Sequence, residues 1–514
     1  MNHQNNMFAN VKRYGNIIIW IAAIFEIIIW PSIENFIGCF MTLICWTVFC
    51  KVGLNEIVIR EHIFGWLVFL SMSLYRILPL LATMLEFHSI GYNFINPIET
   101  YLGETLLYLI SALAFYFATK RKYALSGLKK VLYRYGFYDK VSNKIIWLLG
   151  FWGLIIRLYL MNSNVQIGDV VGKTLTGFTF FQYAPMMLFF PTLYCKNCNK
   201  EILVRNRSAI CYFVFIVVLS FATNSRYAVL EPFGTFALLL LLSYQKNSRI
   251  NTKNINKKYI LYGILSVIFI VPFLSDVSLA MLANRENRSD VDRKDLFIST
   301  VNTYLDREKM EQLRKLKEAK SIEEVGGYSE DWSETYVDNF ALNRYCNLRV
   351  SDNTLFHAQR VGFSNEMMYN DFWTEIVALC PMPILKLLGV EYNKNKRYSR
   401  GDKLKAMSTR STPFASYLVT SHLADGLLTF GYFYFPIEGL LFYLRFLFLD
   451  TFLIKRKNDV VYSIYGLITI FSFLAMFRNA GGCCDSLSYL LRGYWQDVIL
   501  FLIVFSLLKK FVRQ

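Results

Sequence analysis

Apolar runs long enough to cross a bilayer recur along this chain, and clusters of Lys and Arg follow every second one. That alternation constrains the fold more than any short motif does. A crossing helix needs about 20 mostly apolar residues. Twelve candidate spans fall near 15–31, 35–51, 63–82, 100–118, 145–161, 177–194, 208–223, 227–244, 259–275, 426–449, 460–477 and 494–508. The first two also read as one re-entrant pair around Pro31. The 514 residues are 54% hydrophobic and 18% charged, against about 25% charged in soluble domains. A disordered chain and a string of soluble domains are both excluded.

Charge gives an independent test, because cytoplasmic loops collect Lys and Arg. Lys12 and Arg13 precede the first span, and the loop after the fourth carries Lys120, Arg121, Lys122, Lys129, Lys130, Arg134, Lys140 and Lys144. The loops after the sixth, eighth and tenth spans and the C-terminal tail are basic as well, whereas 83–99 has no Lys or Arg. The fold expected is therefore an all-α polytopic membrane protein of about 12 transmembrane helices, with both termini cytoplasmic. The first apolar run lacks a small-residue cleavage site and is expected to stay as a span.

The chain divides into a transmembrane bundle at 1–275, a large external loop at 276–425 and further spans at 426–514. The loop holds 21 basic and 22 acidic residues, a net of −1, so against the chain's net +17 the membrane part carries +18. Topology and anionic inner-leaflet lipid account for that excess, and no nucleic acid partner is called for. Within the loop, Leu305, Met310, Leu313 and Leu316 predict an amphipathic helix over 303–320. Residues 365–380 are aromatic-rich and predict a helix along the membrane surface, ended by Pro381 and Pro383. Residues 326–333 and the basic stretch 392–412 read as loop.

Chemistry is expected where charge meets the outer face. Arg226 lies in Phe221-Ala-Thr-Asn-Ser-Arg226, the hairpin between the seventh and eighth spans. An arginine beside hydrocarbon tends to be functional, or else snorkels to the interface. Arg285 and Arg288 share a helical face and can grip a diphosphate, or form a solvated charge run. Arg360, in His357-Ala-Gln-Arg360 at the start of the aromatic helix, Arg410 and Arg478 are further candidates. His422 and Asp425 lie one helical turn apart at the entry of the tenth span. An imidazole can serve as base near neutral pH, whereas Asp425 can orient it, act as base, or only cap a helix. His357 and Glu366 are alternative bases. Cys195 and Cys198 have a zinc half-site spacing without a second pair, and Cys346 and Cys380 can form a disulfide or stay free. No nucleotide, metalloprotease or Asp-x-Asp motif is present, so no cofactor and no metal are expected.

With its late external loop and short basic cytoplasmic loops, the chain resembles the O-antigen polymerase family, the Wzy-type polymerases of bacterial envelopes. Phe221-Ala-Thr-Asn-Ser-Arg226 is similar to the family's small-polar-Ser-Arg turn, with Tyr227 where Gly is usual. Ser421-His-Leu-Ala-Asp-Gly-Leu-Leu-Thr-Phe-Gly431, followed by Pro436-Ile-Glu-Gly439, resembles the segment that re-enters the membrane after the loop. The resemblance implies a GT-C-like glycosyltransferase of the bacterial inner membrane. It would join undecaprenyl-diphosphate-linked repeat units into O-antigen or capsule-like polysaccharide without a metal. Donor and acceptor glycans, the bilayer, a chain-length regulator and a flippase would be its partners. Arg226, Arg285, Arg288 and Arg360, with Arg410 in reserve, would hold the diphosphate. His422 would be the base, with Asp425 in reserve. An O-antigen ligase-type transferase has similar architecture. A flippase or transporter is the rival of another class, usually built from internal repeats that are not seen here.

Overall fold

The computed structural model describes residues 2–121, 123–162, 170–195, 203–221, 226–246, 276, 279–280, 283, 293–324, 332, 336–380, 382–387, 389, 398–413, 418–455, 459–474, 476–477 and 481–513. Among these, six helical stretches are long and apolar enough to cross a membrane: Ile33–Gly53, Ile63–Leu85, Pro97–Lys120, Asn143–Met161, Ala228–Lys246 and His422–Phe452. Each coincides with one of the twelve expected spans. The protein is thus an all-α membrane protein in its main features. Its one sheet among the described residues is the antiparallel pair Leu453–Lys455 and Val460–Tyr462.

Two compact units make up the chain. The first comprises Met1–Lys129, Tyr328–Phe452 and Phe473–Asp497. Its centre is the Ile63–Leu85 helix, where Phe64, Leu67, Val68, Phe69, Met72 and Leu80 are fully buried. Phe69 stacks on Tyr108 and Phe115 of the Pro97–Lys120 helix, with ring centroids 5.7 and 4.8 Å away. The other face of that helix exposes Leu102, Leu106, Leu113 and Phe117, the apolar band a lipid-facing helix requires.

The segment between Asp338 and Thr409 folds onto these helices through polar groups. Asp352, on the Arg349–Val361 helix, accepts from the amides of Ile95 and Asn96 at 2.6 and 2.8 Å and from Thr100 Oγ1 at 3.2 Å. It thereby satisfies amides at the start of the Pro97–Lys120 helix, which Pro97 opens. At the far end of the Ile63 helix, Glu86 accepts from the amides of Asp338 and Asn339 at 2.7 and 2.9 Å. Ser399 and Asp402 form a capping box that starts the Arg400–Thr409 helix. Ser421 caps His422–Phe430 by accepting from the Ala424 amide at 3.1 Å. That helix stops at Gly431, where φ is +57°, and Tyr434–Leu449 continues inward.

The second unit comprises Lys130–Gly327, Leu453–Ser472 and Val498–Gln514. The Asn143–Asn162 helix lies against a 3₁₀ segment, Thr179–Phe189. Gly153 permits that contact, because a Cβ there would stand 2.2 Å from the Gln182 amide nitrogen.

Several expectations require correction. The span expected at 177–194 is the 3₁₀ segment followed by the short Pro191–Tyr194 helix, since Pro185 withholds an amide from any α-ladder. The span at 460–477 opens as a strand and continues as the short helices Ile464–Ile468 and Ile470–Leu474. The first apolar pair forms two helices, Asn2–Ile29 and Ile33–Val48, joined at Pro31. The helix expected at 303–320 is two, Arg293–Leu305 and Arg307–Glu324, divided by Asp306, whose side chain accepts from the Lys309 amide at 3.1 Å. Within the stretch 392–412 expected as loop, Arg400–Thr409 is helical. His357 and Arg360 end the separate Arg349–Val361 helix rather than open the aromatic one. The aromatic helix, Glu366–Val377, buries Met368 and Phe372 and exposes Met367, Tyr369 and Trp373. Cys346 and Cys380 are not joined to each other, and Cys195 is in a disulfide. The expected span at 259–275 lies outside the described residues.

Candidate functional site

The polar residues of the first unit converge where the loop helices meet the membrane helices. Ser421 fixes the first turn of the His422–Phe430 helix, which directs His422 and Asp425 inward; they are 2% and 0% exposed. The two have different partners. Asp425 Oδ1 accepts from Arg400 Nε at 2.7 Å and its Oδ2 from the Cys483 amide at 2.8 Å. Arg400 also donates to Thr429 Oγ1 at 2.6 Å and meets Asp371 at 3.2 Å, and Lys403 pairs with Asp371 as well. Both oxygens of Asp425 are therefore occupied, one by a guanidinium and one by an amide. Asp425 does not cap the helix, since Ser421 does; it ties the helix to Arg400 and to the Cys483 amide.

His422 is held differently. Its ring stacks on Phe477 at 4.6 Å. Nδ1 has no hydrogen-bond partner, and Nε2 lies 3.9 Å from Asp485 Oδ2. The Asp485 side chain is 57% exposed, so the imidazole sits one side chain below open space. Gly481 closes over it: a Cβ there would stand 2.8 Å from His422 Nε2.

Two buried guanidiniums lie beside this histidine. Arg76 lies 5.4 Å from the Phe477 ring centroid and pairs with Glu104, whose other oxygen accepts from Ser351 Oγ at 2.5 Å. Arg445 contacts Ser486 Oγ at 3.5 Å and lies over the Tyr489 ring at 5.0 Å. Among the described residues no carboxylate lies within 4 Å of Arg445; Glu438 engages Ser486 instead. Arg76 Nε, Arg445 Nε, Tyr434 Oη and Tyr489 Oη are also buried without partners. Such atoms are rare in folded proteins. Tyr489 opens a π-helical turn, Tyr489–Gly493, a geometry frequent at functional sites.

The remaining sequence candidates lie elsewhere. Arg360 and Arg410 are exposed; Arg410 ends its helix at φ +53°. Arg226 starts the Arg226–Lys246 helix of the second unit. Arg285, Arg288 and Arg478 lie outside the described residues. His357 is buried, bonded through Nδ1 to Ser408 Oγ at 2.8 Å and stacked on Trp332, whereas Glu366 is exposed. Arg400 falls in the basic stretch 392–412 expected as loop, and Arg76, Glu438 and Arg445 are not among the sequence candidates. The Ser399-x-x-Asp402 pattern before Arg400 was the readable signal for the Arg400 helix. No family model, no curated protein and no solved structure matches this chain.

Proposed function

We propose that this protein is a membrane glycosyltransferase of the O-antigen polymerase type, joining lipid-diphosphate-linked oligosaccharide units at the outer face of a bacterial inner membrane. The reading includes about twelve spans and cytoplasmic termini. The observation that carries it is His422, a buried imidazole whose Nε2 lies 3.9 Å from the exposed Asp485 carboxylate, one side chain from open space.

The reaction needs a base and a charge acceptor. An acceptor hydroxyl attacks the donor's anomeric carbon, a C–O bond forms, and the bond to the diphosphate breaks. His422 takes the hydroxyl proton through Nε2, and Asp485 stabilises the imidazolium. The lipid diphosphate leaves as an anion. Arg445, with no carboxylate of its own, offers it a fixed positive charge in a low-dielectric setting. Arg76, tied to Glu104, holds the Phe477 wall. Asp425 and Arg400 fix the helix that carries the base.

The test is the glycan ladder of a host deleted for this gene. Complementation with His422→Ala or Arg445→Gln, each present in the membrane at wild-type amount, is expected to leave single repeat units on their carrier. A normal ladder from both variants refutes the assignment. Long glycan that builds but stays on the carrier lipid favours the ligase reading instead.

A further inference from the structure

A second buried guanidinium lies in the second unit, and nothing assigned above uses it. Arg157 is 6% exposed, five residues before the end of the Asn143–Asn162 helix. At 1.5 Å per residue it stands about 7 Å from the end that the loop charges set outside. NH1 donates to Gln182 Oε1 at 2.5 Å. Among the described residues NH2 reaches the Leu219 carbonyl and Ser220 Oγ, both at 3.4 Å, beyond the ordinary N–H···O range of about 2.7–3.2 Å. All three acceptors are neutral. Glu231, the carboxylate of the neighbouring Arg226–Lys246 helix, is bonded to Tyr183 Oη at 2.8 Å and makes no ion pair with Arg157 within 4 Å.

Glu231 is coupled to the Arg157 charge without touching it, so a buried guanidinium whose direct acceptors are all neutral is costly, and a structure that keeps one has a use for its charge. The surroundings are irregular in the same place. Gln182 belongs to the 3₁₀ segment Thr179–Phe189, a backbone form tolerated at membrane depth where it lies within protein or lines a polar path. Leu219 and Ser220 lie in the last turn of the Arg207–Phe221 helix, so the loosely held NH2 sits at that helix end.

We propose that Arg157 anchors an anion site in the second unit, which takes a phosphate-bearing ligand through the NH2 donor that neutral acceptors leave poorly satisfied. Under the polymerase reading, on which the choice of ligand rests, this is the head group of a second lipid diphosphate. A polymerase needs two such lipids, one as donor and one as acceptor.

The full chain in nanodiscs is titrated calorimetrically with farnesyl diphosphate and, separately, with inorganic pyrophosphate. Wild type is expected to bind farnesyl diphosphate, and Arg157→Gln to weaken one class of site about 10–100-fold, the loss of a charge-assisted bond. Arg157→Lys keeps the charge without the fork and is expected to weaken it about tenfold. It also serves where the Gln variant fails to fold. Arg445→Gln should leave the Arg157 class intact. Equal binding of pyrophosphate assigns the site to free phosphates, and tighter binding of the farnesyl compound assigns it to a lipid. Wild-type affinity in both Arg157 variants overturns the proposal. A normal ladder in the gene deletion, with binding still lost in Arg157→Gln, would remove the polymerase reading and leave the anion site standing.

Discussion

Replacing Arg400 by Met should destabilise the first unit by about 3–5 kcal/mol, the range for removing one partner of a buried ion pair. Arg400 is 6% exposed and serves two carboxylates, Asp425 and Asp371. Their fates differ once it is gone. Asp371 keeps Lys403. Asp425 keeps only the Cys483 amide and is 0% exposed, so nearly all of the penalty falls on it. A second substitution tests that assignment. Asp425→Asn added to Arg400→Met removes the stranded charge and should recover at least about 2 kcal/mol, a coupling of the size contacting residues show. Each variant is purified in detergent and unfolded with guanidinium while tryptophan fluorescence is followed. Arg400→Met within about 1 kcal/mol of wild type would refute the argument. So would a double variant whose loss equals the sum of the singles.

Burial raises Asp352 from the usual 3.8 to about 6, partly opposed by the amides of Ile95 and Asn96, Thr100 Oγ1 and Arg349. The folded value exceeds the unfolded one, so the contribution to stability is full below about pH 4 and is lost as pH rises through about 6. The gap corresponds to about 3 kcal/mol, and Asp352→Asn should flatten that slope in denaturant midpoints measured between pH 4 and 7. Gly481→Ala should cut polymer yield while membrane protein persists, because the new methyl meets His422 Nε2 at 2.8 Å and the ring is fixed against Phe477; overpacking of this kind costs about 1–3 kcal/mol. An unchanged ladder would show that the imidazole can move aside. Cys346 and Cys483 are buried and their thiols are pushed up by burial, so both should resist maleimide in the folded protein and react after denaturation; rapid native labelling at either would contradict the packing.

The sequence exposed what repeats and hid what converges. Hydropathy located the six long apolar helices because each must satisfy its own backbone inside lipid, a constraint printed in every residue of the span. It misjudged 177–194, where apolar composition was right but Pro185 and the glycine-lined contact imposed a 3₁₀ path. His422 was legible as a rare residue at the end of the loop, with Ser421 before it as a cap. Arg76, Glu104, Ser351 and Arg445 were not legible as one site, because 28 to 247 residues separate the pairs that touch. Asp425 shows the physical difficulty most clearly. In the sequence it is a carboxylate one turn from a histidine, a pattern equally suited to catalysis and to capping. Only the positions of Arg400 and the Cys483 amide, 25 and 58 residues away, decide that both its oxygens are occupied. A residue's chemical role in such a protein follows from which of its hydrogen-bonding atoms remain unused. That property belongs to tertiary packing, and His422 Nδ1, Arg445 Nε and the loosely held NH2 of Arg157 are three examples of it among the described residues.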